Sequence, residues 1–187
     1  MGNKAIISKQ QILETAYDLF RAEDSHAISI RGVASACGVS VGSIYNYFPT
    51  KSALVAEIVG MFWEKSLHRE MFIAESDENF VAFCERLMGD LEETLEEFRR
   101  DWLGKLMALD SDSVAEIRRR EEAAFRHIRK GLALVISHDR DIKLDVLDEG
   151  AGPDELATLV WGSMVSSLEH GDESCKVLFT LMKTSLY

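Results

Sequence analysis

The chain has 187 residues, 47% of them hydrophobic, enough to bury a core in one or two compact units. No apolar run approaches the roughly 20 residues that span a bilayer, and no signal peptide opens the chain, so we expect a cytoplasmic protein with no membrane partner. Cys37, Cys84 and Cys175 lie far apart, without a C-x-x-C pair. This spacing favours a reducing compartment and thiols that serve as buried packing.

The net charge of −11 argues at first against a nucleic-acid partner. Residues 1–51, however, hold five Lys/Arg and four Asp/Glu, a balance of +1. Residues 52–187 hold sixteen against twenty-eight, a balance of −12. The acidity therefore belongs to the second part of the chain. The weakly basic first part remains compatible with DNA, and we expect its binding to depend strongly on salt.

The first helix begins at a capping box, in which Ser8 and Gln11 satisfy each other's free backbone N–H groups. Its apolar residues recur at helical spacing and predict a stripe that supports the segment that follows. The stripe consists of Ile12, Leu13, Ala16, Leu19 and Phe20.

Residues 29–51 read as two short helices joined by a tight turn. Ser29 and Ser40 are plausible N-caps for the two helices, and Pro49 would stop the second. Gly38 is the residue type that most readily takes the left-handed conformation that ends a helix. The residues expected to point inward are Ile30, Val33, Ala34, Cys37, Val41, Ile44 and Phe48.

The order of small residue, turn glycine and aliphatic residue has a physical meaning. Ala34, Gly38 and Ile44 follow one another at offsets of four and six residues. Two helices that cross steeply need a small side chain at their closest approach, a sharp turn and one apolar plug between them. The spacing therefore predicts a helix-turn-helix. No acidic residue lies between positions 25 and 51, as suits a surface that meets phosphates.

The stretch VSVGSIYNYFPTKSAL, residues 39–54, resembles the signature of the tetracycline-repressor (TetR) family of bacterial transcriptional regulators. The resemblance covers roughly residues 8–60, about a third of the chain. The matching residues are Gly38, Val39, Ser40, Gly42, Tyr45, Phe48, Lys51 and Leu54, preceded by Ala16, Phe20, Ser29, Ile30 and Arg31.

The resemblance implies an all-α fold of about nine helices. A three-helix helix-turn-helix DNA-binding domain would occupy residues 1–52, and a helical ligand-binding and dimerisation domain residues 53–187. It further implies a homodimer formed through the last two helices, a near-palindromic double-stranded DNA operator and a small-molecule effector. Two-fold symmetry would place two recognition helices about 34–36 Å apart. We expect no cofactor and no metal.

By the same resemblance, nine residues lie at or near DNA. Tyr45 and Lys51 would hold phosphates, whereas Ser40, Val41 and Asn46 are candidates for base contacts. Val41 can offer only an apolar contact, such as one to a thymine methyl. For Tyr47, packing of the ring against the helix-turn-helix remains an alternative. The full set is Arg31, Ser40, Val41, Gly42, Ser43, Tyr45, Asn46, Tyr47 and Lys51.

Helical patterns continue to the end of the chain. Helices are expected from Thr50, from Phe80, over about residues 113–137, from Pro153 and, opened by Asp172-Glu173, at the end. In the third of these, Glu116–Arg120 and Glu122–Arg126 have the i,i+4 spacing of paired surface charges.

Large apolar residues in the second part could line an effector pocket. A ligand there would be mostly apolar or aromatic, and the many carboxylates would admit a cation. A Met and aromatic stripe at helical spacing is equally typical of a packed core, so that alternative remains open. The candidates are Phe83, Leu87, Trp102, Met107, Phe125, Trp161 and Met164.

The leading hypothesis is a ligand-responsive DNA-binding repressor, released from its operator by a small apolar or cationic effector. The alternative is a helix-turn-helix DNA-binding protein with no small-molecule effector. An enzyme is rejected, because the sequence has no H-E-x-x-H, no metal-ligand spacing, no nucleophile signature and no phosphate-cradling glycine loop.

Overall fold

A computed structural model describes residues 7–22, 29–67, 78–103, 106, 111–144, 150–172 and 174–187. Every regular element in these ranges is a helix, which confirms the all-α prediction. Eight α-helices and one π-helix are found there, in line with the expected number. The α-helices are α1 (Lys9–Arg21), α2 (Ile30–Ala36), α3 (Val41–Tyr45), α4 (Lys51–Ser66), α5 (Phe80–Glu97), α6 (Ser111–His138), α7 (Pro153–Glu169) and α8 (Lys176–Leu186), and the π-helix is Phe98–Leu103.

The chain divides into two compact units. The first unit comprises residues 1–66 and 97–124, and the second comprises residues 67–96 and 125–187. Helix α6 contributes its first half to the first unit and its second half to the second. This is a division by packing. The boundary expected at residue 52 separates two functions, DNA binding and ligand binding, and it stays a prediction.

An aromatic cluster forms the core of the first unit. The Trp102 ring lies 4.8 Å from Phe20 and 5.6 Å from Tyr17, both on α1, and 4.6 Å from Phe62 on α4, between ring centroids. Phe98 stacks on Trp102 at 6.2 Å. Burying these large rings together removes much apolar area from water, which stabilises the folded unit. The same contacts hold residues 98–103 against α1 and α4.

Sequence periodicity did not reveal the π-helix at Phe98–Leu103. A π-turn is wider than an α-turn and often marks a departure from regular packing. Here it accommodates the stacked rings of Phe98 and Trp102.

In the second unit, a polar cluster joins three helices. The backbone N–H of Phe80, at the start of α5, donates to Asp139 Oδ2 at 2.8 Å and to the hydroxyl of Tyr187 at 3.1 Å. The Tyr187 hydroxyl in turn donates to Asp139. Burial, and then this hydrogen bond to Asp139, raises the pKa of Tyr187. The cluster caps α5 with side chains that lie 59 and 107 residues away along the chain.

Several boundaries differ from the sequence predictions. Helix α3 ends at Tyr45 instead of continuing to Pro49, because the residue before a proline is pushed out of the helical conformation and Phe48 is already non-helical. Helix α8 begins at Lys176, not at Asp172. The Asp172 carboxylate accepts the N–H groups of Ser174 and Cys175, both at 3.2 Å, and so forms the turn before the helix.

The predicted pair Glu116–Arg120 is not formed. Glu116 pairs with Arg119, and Arg120 instead reaches Glu57 and Glu64 on α4. None of the described helices is long and apolar enough to cross a membrane.

Candidate DNA-binding surface

The turn between α2 and α3 is built from backbone hydrogen bonds and one glycine. Gly38 has φ +65°, the left-handed conformation predicted for it. Around it, the N–H of Cys37 donates to the Val33 carbonyl at 2.9 Å and the N–H of Val39 to the Ala34 carbonyl at 2.9 Å. These bonds satisfy the free carbonyls at the end of α2, and the chain reverses within three residues.

Both helices of the motif begin at the predicted serine caps. The Ser29 hydroxyl accepts the N–H of Gly32 at 3.0 Å, and the Ser40 hydroxyl accepts the N–H of Ser43 at 3.1 Å. The Ser40 and Ser43 hydroxyls also lie 2.8 Å apart, within hydrogen-bond distance. Ser40 therefore has a structural role as a cap, in addition to its predicted contact with a base.

A buried layer holds α3 in place. Ile44, the predicted plug, is fully buried, and so are Phe48, Val33 and Ala34. Helix α2 packs against both α1 and α3, and α1 packs against α4. Because α3 has only five residues, its position depends on this packing and on its cap more than on its own helix propensity.

Seven of the nine predicted DNA contacts are exposed above that layer. Tyr45 is 46% exposed and Tyr47 38% exposed. Val41 and Ser43 are half-buried. The remaining predicted contacts are all exposed, namely Arg31, Ser40, Gly42, Asn46 and Lys51. Within residues 29–51 the only charged side chains are the cations of Arg31 and Lys51, so the surface carries no carboxylate of its own.

The N-terminus of α1 and the end of the motif are bound to each other, which the sequence did not indicate. The Tyr47 hydroxyl donates to the Ile7 carbonyl at 2.8 Å, which supports the packing alternative for this residue. The Lys9 ammonium lies 5.4 Å from the Phe48 ring centroid and 2.7 Å from Glu57 Oε1 on α4. Contacts between residues so far apart in sequence leave no local pattern that could have predicted them.

The candidate pocket residues do not all belong to one unit. Trp102 is part of the aromatic cluster of the first unit. Phe83, Leu87, Trp161 and Met164 are buried in the second unit. There the Phe125 ring meets the Trp161 ring edge-on at 5.3 Å between centroids. Met107 lies outside the described residues.

A capped five-residue helix that is held over a buried plug and exposes hydroxyl, amide and phenol groups is the geometry of a helix-turn-helix DNA-binding protein. Comparison with known proteins agrees with this class. Residues 12–58 match the family of bacterial regulatory proteins described as the tetR family. The HTH-type transcriptional regulator YuxN of Bacillus subtilis (strain 168) is 31% identical over 86 residues, which are 46% of this chain and 30% of YuxN.

Two solved structures have a fold similar to that of this chain over most of its length. A transcriptional regulator from Rhodococcus sp. RHA1 aligns over 92% of this chain and 93% of its own, with a TM-score of 0.54 and 18% identity. The transcriptional repressor QsdR of R. erythropolis, of the TetR family, aligns over 95% and 93%, with a TM-score of 0.52 and 14% identity. Over residues 12–58 the chain is thus similar to the TetR family of transcriptional regulators, and over most of its length its fold is similar to theirs. The chain spans about a third of the length of the curated relatives it matches.

Proposed function

We propose that this protein is a transcriptional repressor that binds a near-palindromic DNA operator as a homodimer and is released by a small apolar or cationic effector. The observation that carries the DNA-binding part is the exposed face of α3. Ser40, Tyr45 and Asn46 are exposed to solvent above the buried layer that holds α3 in place. Residues 29–51 contain no carboxylate. Hydroxyl and amide groups suit base edges, and phenol and ammonium groups suit phosphates.

Selection from a random duplex DNA library tests this part. Because a dimer presents two equivalent helices, the selected sequences should contain two inverted half-sites whose centres lie one helical turn apart, or a multiple of it. Enrichment of no sequence, or of a single half-site without symmetry, would contradict the proposal.

The proposed dimer surface is the outer face of α7 and α8. Leu159 is 61% exposed, Val177 74% and Leu181 59%, so three aliphatic side chains on these two helices face solvent. A shallow groove along α7 is lined partly by small residues, among them Gly162 and Ser166. Small residues allow the helices of a second copy to approach closely, and the exposed aliphatic side chains would be covered by it.

A charged substitution on this face tests the dimer. Val177→Glu and Leu181→Arg should convert a dimer into a monomer in sedimentation, because each would bury an unpaired charge in the interface. Leu134→Arg is the matched control, since Leu134 on α6 is 62% exposed and lies outside α7 and α8. Unchanged mass in both interface variants would contradict this arrangement.

The proposed effector would have to enter the apolar interior of the second unit. Phe83, Leu87 and Met164 are fully buried and Phe125 contacts Trp161, so these side chains already fill space. This packing favours the second candidate function, a helix-turn-helix DNA-binding protein without an effector. One measurement distinguishes the effector-released repressor from a DNA-binding protein without an effector. A panel of aromatic and cationic compounds should include some that raise the thermal midpoint and release the selected DNA, whereas the second candidate predicts that none will.

A further inference from the structure

An arginine on α6 lies against the one glycine in the interior of α4. Arg120 crosses α4 at Gly60, where a Cβ atom would lie 2.6 Å from Arg120 Nε and 2.7 Å from its Cγ. No side chain larger than hydrogen fits there without displacing the arginine. A glycine in a helix interior weakens the helix, so its presence at the crossing is accounted for by this close approach.

The guanidinium joins a chain of contacts that leads to α3, the recognition helix of the proposed DNA-binding surface. Arg120 Nη2 lies 2.8 Å from Glu57 Oε2 and 3.6 Å from Glu64 Oε1. The other oxygen of Glu57 accepts from the Lys9 ammonium at 2.7 Å. One carboxylate on α4 therefore holds both the start of α1 and the first half of α6.

From Lys9 the contacts continue to the residues directly after α3. The Lys9 ammonium lies 5.4 Å from the centroid of Phe48, the buried ring that follows α3. Two residues before Lys9, the Ile7 carbonyl accepts the Tyr47 hydroxyl at 2.8 Å. All of these residues belong to the first unit.

A second contact keeps α6 in register on α4. Glu121, next to Arg120, accepts the indole N–H of Trp63 at 3.2 Å. The Nε of Arg120 is buried without a hydrogen-bond partner among the described residues. The side chain therefore gives up one hydrogen bond to lie flat against Gly60, and its Nη2 reaches Glu57. A lysine at this position would keep the positive charge but would lack the planar guanidinium, which lies along Gly60 and donates to Glu57.

We propose that Arg120 is a positioning residue for DNA binding, which acts through Glu57 and Lys9 to set the orientation of α1 and of the recognition helix. This rests on the proposed DNA-binding function. The individual ion pairs are partly exposed and add little to stability, so their effect is expected in the geometry of the DNA-binding surface. Arg120 itself is not expected to touch DNA, because its guanidinium faces α4.

The test is binding of the purified full chain to its selected operator. Arg120→Gln should weaken binding by about three- to tenfold, as for other residues within a coupling network. The slope of affinity against salt should stay the same, because the protein still neutralises the same phosphates. Arg119→Gln is the matched control. It changes the charge equally on the neighbouring residue, whose partner is Glu116 on the same helix, and should bind like the wild type.

A double-mutant cycle separates positioning from simple loss of charge. Glu57→Gln keeps the shape of the side chain and should weaken binding at least as much as Arg120→Gln does, because it breaks the ion pairs with both Arg120 and Lys9. The double variant should bind no more weakly than Glu57→Gln alone, because the effect of Arg120 is exerted through Glu57. Arg120→Lys should restore part of the affinity. Circular dichroism and urea unfolding confirm that each variant is folded, and Glu57→Gln provides the test if Arg120→Gln is not.

Equal affinity of Arg120→Gln and Arg119→Gln, or additive effects in the cycle, would overturn the positioning role while leaving the proposed function intact. Absence of operator binding by the wild type would overturn the proposed function and this inference with it.

Discussion

The indole ring of Trp102 lies 4.8 Å from the phenyl ring of Phe20, between centroids, in the core of the unit that carries the helix-turn-helix. The same indole contacts Tyr17 and Phe62, so helices α1 and α4 share one aromatic neighbour. A residue expected from the sequence to be a pocket candidate is thus part of the base on which the DNA-binding helices rest.

Trp102→Ala should lower the free energy of unfolding by about 3–5 kcal/mol, because it removes a buried indole and leaves a cavity among the rings. Trp102→Phe should cost less, since it keeps a ring in the cluster. Urea unfolding followed by circular dichroism measures both. A loss below about 1 kcal/mol for the alanine variant would mean that the cluster is not a tightly packed core.

Two glycine-to-alanine substitutions should have opposite effects on stability. Gly38→Ala should destabilise by about 1–2 kcal/mol, because the left-handed φ of +65° is strained for a residue with a Cβ. Gly89→Ala, within α5, should stabilise by about 0.5–1 kcal/mol, because a Cβ there meets nothing within 4 Å. Thermal unfolding of the pair measures the difference. A change of stability with the same sign in both variants would contradict the left-handed turn at Gly38.

The three thiols should differ in reactivity. Cys84 is buried and burial raises its pKa, Cys175 is also buried, and Cys37 is only half-buried. In the native protein, a disulfide-exchange reagent should therefore modify one thiol quickly, and all three in denaturant. Cys37→Ser should abolish the fast phase. A fast phase that survives in Cys37→Ser would show that one of the other two thiols is accessible.

The hydroxyl of Tyr187 should stabilise the protein at neutral pH and lose that effect in alkali. Folding raises its pKa above the ordinary value of 10, so the neutral phenol is favoured in the native state. This stabilisation is complete below pH 10 and is lost as the pH rises through the folded-state pKa.

Tyr187→Phe removes both hydrogen bonds of the phenol and should cost about 1–2 kcal/mol at pH 7. Between about pH 10 and 11.5 the wild type should lose stability more steeply than the variant does. Urea unfolding at a series of pH values gives the comparison. Parallel pH profiles for the two proteins would be inconsistent with a half-buried, hydrogen-bonded phenol.

The local features of the DNA-binding segment could be predicted because they depend on neighbours in the sequence. The capping box at Ser8, the caps at Ser29 and Ser40 and the left-handed Gly38 are confirmed. Each is set by a residue type and by partners within four positions, so one sequence is enough to find it.

Contacts between distant residues could not be predicted. Local spacing favoured Glu116 as the partner of Arg120, yet the guanidinium meets Glu57, whose position on α4 depends on the packing of the whole unit. The sequence was likewise compatible with Trp102 lining a pocket or packing in a core. Helical spacing identifies the buried face of a helix, but it does not show whether a ligand or another side chain lies against that face.

The salt dependence of operator binding for Lys51→Ala, beside Lys130→Ala, tests the central claim most directly. Both lysines are exposed, and each variant removes one positive charge per protomer, but only Lys51 lies at the end of the helix-turn-helix. In a dimer, Lys51→Ala should weaken binding to all DNA and reduce the slope of log affinity against log salt by about two, because each protomer neutralises one phosphate fewer. Lys130→Ala should match the wild type in both. Equal slopes for all three proteins would contradict the claim that residues 29–51 form the DNA-binding surface.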